Sequence, residues 1–433
     1  MKNKHATVVG GGLAGCEAAM QLASRNIPVT LYEMKPVKFS PAHKSEELSE
    51  LVCSNSLKAE RIGSASGLLK REMRVFGSVC LEAADAARVP AGGALAVDRD
   101  AFSRAVTERI EGEPLITVLR AEVTGIPSDG AVIIAAGPLA SDALSQSIAR
   151  EFGGFLSFFD AAAPIVTAES INMDEAFTAS RYDRGGEDDY INCPLDREQY
   201  EAFYEQLITA QSAELHEFDV RKDVYEGCMP IEALAKRGHD SIRFGPLKPV
   251  GLRNPKTGHR PWANLQLRRE NREGTLYNLV GFQTNLTFPE QKRVFSMFPA
   301  LGDAEFVRYG VMHRNTFLDS PRVLNPDLSA KGHEGLFFAG QITGSEGYME
   351  SASSGILAGI NAARFLLGED ALILPDITML GAVTKYVTSS EGGSFQPMGA
   401  AFGLIPPLET KIRDKRERYE ALAARSLEYM RQF

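Results

Sequence analysis

Cysteine is scarce in these 433 residues, with Cys16, Cys53, Cys80, Cys193 and Cys228 as the full set and no Cys-x-x-Cys pair among them. An odd, widely spaced five excludes a disulfide framework and a structural zinc site, and fits thiols kept reduced in a cytosol. No basic stretch followed by an apolar run opens the chain, and no 18-residue apolar run occurs in it. Neither a secretory signal nor a membrane span is expected, and the expected location is cytoplasmic. Internal repeats and low-complexity tracts are also missing. Basic charge is in deficit: 47 Lys and Arg face 56 Asp and Glu, for a net charge of −9. Taken alone, that argues against a nucleic-acid partner. What remains is an ordinary globular composition, long enough for two or three full cores.

The N-terminus holds the strongest positive signal. Ala6-Thr7-Val8-Val9 reads as a strand, Gly10-Gly11-Gly12-Leu13-Ala14-Gly15 as a glycine-rich turn, and Cys16 to Ala23 as a helix. Gly10, Gly12 and Gly15 fit GxGxxG: the first allows the tight turn, the second lets a pyrophosphate approach the backbone, the third lets helix pack on strand. Phosphates then meet unpaired N–H groups and the positive end of the helix dipole. The context is complete, because Ile27–Tyr32 reads as a second strand ending at Glu33, where a carboxylate binds ribose hydroxyls. A dinucleotide is expected here.

Downstream fragments point to FAD. Ala131-Val132-Ile133-Ile134-Ala135-Ala136-Gly137 resembles the strand with which flavoproteins close their first nucleotide-binding unit. Gly335-Leu336-Phe337-Phe338-Ala339-Gly340-Gln341 is a second such strand. It leads through Gly344, Gly347 and Tyr348 into a small-residue helix, Ser351 to Arg364. A helix N-terminus of this kind presents N–H groups to flavin atoms, while the small residues fit close helix packing equally well. No second GxGxxG is present, so a nicotinamide reductant is expected to dock transiently beside the flavin. Tyr348 is placed to stack a pterin or uracil ring, or to pack in a core.

The expected fold is α/β, a Rossmann-like FAD-binding fold of the glutathione-reductase type, interrupted by an α+β domain. The boundaries expected are 1–155 for the first FAD-binding part, 156–305 for the insertion, and 306–433 for the second part with a charged C-terminal helix from Leu408. Between Lys236 and Arg272 lie ten basic residues against Asp240 and Glu270, about +8, which leaves about −17 elsewhere. Phe244, Trp262, His239 and His259 are interleaved with them. Arg253, Lys256, Arg260, Arg268 and Arg269 are the candidates for tracking RNA phosphates. The alternative is a solvated face paired with the acidic remainder.

Two cysteines stand apart. Cys53 sits in Leu51-Val52-Cys53-Ser54-Asn55-Ser56, an apolar triplet breaking into a polar turn, and Cys228 in Tyr225-Glu226-Gly227-Cys228-Met229-Pro230, a constrained loop. Arg221 and Lys222 would lower a nearby thiol pKa and Glu226 would raise it. Cys16, Cys80 and Cys193 read as small buried hydrophobes.

Taken together, the Gly10–Gly15 turn, the two cysteine motifs and Ala339-Gly340-Gln341-Ile342-Thr343-Gly344-Ser345-Glu346-Gly347-Tyr348 resemble the TrmFO family over essentially the whole chain. These are FAD- and folate-dependent tRNA (uracil-5-)-methyltransferases. The glycine motifs are shared with the larger GidA wobble-uridine modifiers, but the cysteine motifs and the chain length favour TrmFO. The resemblance implies methylation of uridine 54 in the tRNA T loop. The one-carbon donor would be 5,10-methylenetetrahydrofolate, with NAD(P)H as reductant through FAD. It implies Cys228 and Cys53 as the two functional cysteines, Cys228 taken as the nucleophile and Cys53 as a flavin-side partner or base. A GidA-like modification and a small-molecule flavin oxidoreductase stay open; the latter needs no basic stripe.

Overall fold

A strand that is almost wholly apolar needs cover on both faces, and Ala6–Val9, polar only at Thr7, and Ala131–Ile134 are two such strands. In the computed structural model, which describes residues 4–40, 42–183, 186, 188–213, 229–389 and 395–433, both are buried throughout. They lie side by side in a five-stranded parallel sheet. Its order is Leu336–Phe338, Ala131–Ile134, Ala6–Val9, Val29–Glu33 and Ile116–Arg120. Ala6 pairs with Val29 on one side and with Ala131 on the other, and Leu336 pairs with Val132. The sheet is thus completed by a strand from the far part of the chain.

The crossover helix Leu13–Ala23 is buried at every position, between the sheet and the long helix Tyr348–Leu367. Glycine makes that contact possible. A Cβ on Gly355 would lie 2.1 Å from the Ala14 carbonyl oxygen, and one on Gly359 would lie 2.7 Å from that of Ala18. The small-residue pattern is therefore a packing seam along its length, and only its N-terminal end faces the groove described below.

A second core, running from Val166 to Ala304, is separate from the first, which draws on residues 6–148 and 318–430. It packs helices against a six-stranded antiparallel sheet ordered Phe177–Thr178, Tyr190–Leu195, Ala263–Arg269, Leu276–Leu279, Ile165–Thr167 and Phe306–Arg308. Expected to end at Glu305, the insertion keeps Phe306–Arg308 in its sheet, because that strand pairs with Ile165 and Val166. The chain crosses between the two cores on one antiparallel ribbon, in which Leu156–Ala161 pairs with Met312–Phe317 from Ala161–Met312 to Leu156–Phe317.

Two buried carboxylates join helices in the first core. Glu17 accepts from the Ser78 hydroxyl and from the N–H groups of Val79 (3.2 Å) and Cys80 (3.1 Å), which open the helix Val79–Ala86. Glu72 accepts from the N–H groups of Met379 (2.8 Å) and Leu380 (2.7 Å) and from Ser426 Oγ (2.5 Å). Burial pushes both carboxyls up to about 7, against the pull of those hydrogen bonds. Ser426 belongs to the C-terminal helix, which begins at Lys415 rather than at Leu408. The reason is a cap: Asp414 accepts the Glu417 N–H at 2.8 Å. No helix among the described residues is long and apolar enough to cross a membrane.

Candidate active site

The glycine turn, Glu33 and the 340–351 segment converge on one groove, open at its mouth, whose empty space including the solvent there is about 1080 Å³. Gly10 takes a positive φ of +107°, and a Cβ there would lie 2.5 Å from the Ala135 carbonyl oxygen. On Gly15 a Cβ would lie 1.8 Å from the Gly10 carbonyl oxygen, so helix and strand close only around glycine. Gly12 differs: nothing lies within 4 Å of its Cβ position, and no side chain caps the helix that starts there. The N–H groups of that first turn face the open groove, where a helix N-terminus favours a phosphate. Glu33 is buried, and its carboxylate accepts from Gly11 N–H (3.0 Å) and Lys35 N–H (2.9 Å), which fixes it at the groove wall.

At the other end, Gly340 (φ +87°) donates its N–H to Ser354 Oγ at 2.7 Å, and Gln341 donates to Glu346 at 2.7 Å. Gly347 precedes the helix Tyr348–Leu367 with no side-chain cap, leaving a second open N-terminus at the groove. The donor set therefore suits a dinucleotide at one end and a ring with exposed carbonyls at the other, and FAD fits it. Missed in the sequence is His43, which lines the groove from an irregular stretch and bonds Ser40 Oγ at 2.6 Å; its pKa is held low by burial and by Lys35. No periodicity marks that stretch, so nothing in the sequence flagged it.

Cys53 is half-buried beside this groove. Its Sγ lies 3.0 Å from Tyr348 Oη, and that oxygen also accepts from the N–H groups of Cys53 (2.9 Å) and Ser54 (3.2 Å). With two donors on the oxygen, the phenolic proton is left for the sulfur. Burial, and Cys53 after it, push the phenol well above its ordinary range, so it stays a donor. Tyr348 thus lines the groove with its ring and holds the Cys53 turn with its hydroxyl.

Three arginines hold the same turn. Arg99 donates to the Leu51 carbonyl (2.6 Å), Arg308 to the Val52 carbonyl (2.6 Å), and Arg268 to Ser54 Oγ (3.1 Å) and Asn55 Oδ1 (2.9 Å). Glu270 pairs with Arg99, and its carboxyl, raised by burial, is pulled back by Arg99, Arg268 and Arg308. Arg268 and Arg308 come from the inserted sheet, so the turn is built at the junction of the two cores. This corrects the reading of Arg268 as a phosphate contact. It is buried, because its strand faces the Cys53 turn. Arg269 is half-buried and paired with Asp188 at 2.8 Å.

Arg253, Lys256 and Arg260 are exposed, in the irregular stretch before that strand, and Lys256 donates to the carbonyls of Met173 (2.7 Å) and Asp174 (2.8 Å). Trp262 is not an open stacking surface, since Arg243 lies 3.8 Å and Arg197 5.5 Å from its ring centroid. Cys16, Cys80 and Cys193 are buried, and burial pushes each thiol up, Cys16 to about 12. Cys228, with Arg221, Lys222 and Glu226, lies outside the described residues.

Known proteins share this architecture and sequence. The family model described as Glucose inhibited division protein A matches residues 5–370. A Geobacter sulfurreducens protein named Methylenetetrahydrofolate--tRNA-(uracil-5-)-methyltransferase TrmFO is 56% identical over 421 residues, covering 97% of this chain and 96% of its own. The Enterococcus faecalis protein of the same name is 54% identical over 431 residues, 99% of this chain and 98% of its own. The solved structure of Aquifex aeolicus GidA is similar in fold, with a TM-score of 0.72 at 18% identity, covering 99% of this chain and 75% of that one.

Proposed function

This chain belongs to the TrmFO family, and we infer from that membership and from the groove that it methylates C5 of uracil in tRNA. The one-carbon donor is 5,10-methylenetetrahydrofolate, and the reducing equivalents come from NAD(P)H through FAD. The finer reading is uridine 54 of the T loop as the target and the cytoplasm as the location, which suits a tRNA substrate and a chain with few cysteines and no Cys-x-x-Cys pair. One observation carries the chemistry: a thiol, Cys53, held 3.0 Å from a phenol at the side of a dinucleotide groove.

C5 of uracil is a weak nucleophile until a thiolate adds at C6, which makes an enolate able to attack a methylene electrophile. We assign that addition to Cys228. The C5 proton must then leave to a base, and Cys53 is our candidate. Tyr348 supports it by holding a hydroxyl 3.0 Å from the sulfur, which fixes the side chain beside the groove. Loss of that proton expels tetrahydrofolate from the transferred carbon and leaves an exocyclic methylene at C5, which becomes a methyl group with the hydride that reduced flavin, when bound, would supply. Elimination of the Cys228 thiolate from C6 releases 5-methyluridine. Gly12 and the helix behind it would hold the pyrophosphate, Glu33 the ribose, and Gly340, Gln341 and Gly347 the ring end.

The test is nucleoside analysis of tRNA incubated with the protein, methylenetetrahydrofolate and NAD(P)H. The expected product is 5-methyluridine, formed only when all components are present. Its absence with FAD bound would refute the reading.

A further inference from the structure

On the inserted domain, Phe306, Tyr309 and Phe288 form a ladder of parallel rings. The Phe306 and Tyr309 centroids are 5.6 Å apart with planes at 8°, and those of Tyr309 and Phe288 are 4.9 Å apart with planes at 14°. The core below it mixes tilts: Phe203–Phe298, Phe282–Phe295 and Phe282–Phe298 meet edge to face at 66–69°, while Phe203 and Phe282 lie at 28°. Packing among rings selects both edge-to-face and offset-stacked contacts. What sets the ladder apart is its end, a parallel ring, Phe288, that is 51% exposed. It is also held firmly. Buried Gln291 donates to the Gly310 carbonyl at 2.8 Å and accepts the Gly310 N–H at 2.8 Å, which locks the helix Phe288–Phe295 to the residue after Tyr309.

From this geometry we propose that Phe288 and Tyr309 form a stacking platform for an unpaired base of the tRNA substrate. The inference rests on the tRNA-methylating reading above and adds where the RNA is gripped. Three observations favour a base over another planar or apolar occupant. A base is a flat ring that extends a parallel stack by one step onto the exposed Phe288 face. Lys292 is exposed four residues after Phe288, on the same helix face, where a cation meets the phosphate next to a stacked base. And Arg308, between Phe306 and Tyr309 in sequence, reaches the Val52 carbonyl beside Cys53, so the segment carrying the platform also braces the reactive turn.

The test uses FAD-loaded protein and a labelled tRNA transcript. Phe288→Ala should raise the Kd for tRNA about ten-fold or more and raise KM more than it lowers kcat. The flavin spectrum and the salt dependence of binding should not change, because no phosphate contact is lost. Phe288→Trp should keep Kd within about two-fold, since a larger ring still stacks. Lys292→Ala should instead lower the log–log salt slope by about one unit. A Kd unchanged in Phe288→Ala would overturn the proposal, as would an altered sedimentation of the protein alone with tRNA affinity intact, the mark of a protein–protein face. If wild-type protein makes no 5-methyluridine while Phe288→Ala still weakens tRNA binding, the catalytic reading fails and the platform stands.

Discussion

At the scale of single residues, the cysteines give the sharpest expectations. An RNA carrying 5-fluorouracil at the target should trap a covalent adduct, because fluorine cannot leave C5 as a proton does. Cys228→Ala should remove both adduct and methylation while keeping FAD. Cys53→Ala should lose methylation and keep the adduct, and the opposite pattern on a denaturing gel would reverse the two roles. Glu33→Ala removes a charged hydrogen-bonding group worth about 1.5–3 kcal/mol, so FAD affinity should fall roughly ten-fold or more in a fluorescence titration. Glu33 was legible because a strand end and a glycine spacing mark it. Arg268 was not. In sequence it is one of ten cations in a basic stretch, and only strand pairing shows that it turns inward to Ser54 and Asn55. Arg268→Ala should therefore leave the salt slope of RNA binding unchanged and speed alkylation of Cys53 as its turn loosens. A changed salt slope would restore it to the RNA surface.

At the scale of elements, Glu72 ties three helices through two backbone amides and one hydroxyl. Glu72→Ala strands those donors and should cost about 3 kcal/mol, read as a lowered thermal midpoint. Its titration sets a pH dependence of definite sign. Burial raises the folded carboxyls of Glu17 and Glu72 from near 4.5 to about 7. The folded state then binds protons more tightly than the unfolded chain, so this contribution is full below pH 4.5 and lost as pH climbs to 7. The thermal midpoint should fall between about pH 5 and 7 and level off above, with a shallower fall in Glu72→Gln. A midpoint that rises over that interval would show both groups ionised throughout. The first strand, turn and helix were readable from apolar runs and glycine. Helix starts set by a distant carboxylate or by Asp414 were not, since no local pattern announces them.

At the scale of the whole molecule, charge is divided as the sequence suggested, but its exposed part is smaller. Of the five candidates, Arg253, Lys256 and Arg260 face solvent, while Arg268 is buried and Arg269 is paired. Replacing Arg253 and Arg260 together by Gln should lower the log–log salt slope of tRNA binding by about two units. An unaltered slope would make that stretch a solvated face. Two cores were foreseeable from the return of strand–helix rhythm after the insertion, whereas their shared bracing of Cys53 depends on contacts far apart in the chain. Both crossings between the cores run through one ribbon, with Ala161 opposite Met312. Strand partners are only about 4.5–5.5 Å apart at Cα, so the two cut ends of the flavin-binding unit stand no farther apart than the ends of a hairpin. The unit bears the same geometric demand whether a two-residue turn or a whole domain is spliced there. The inserted domain is free to grow, shrink or be exchanged over evolutionary time without pulling on the sheet that cradles the cofactor.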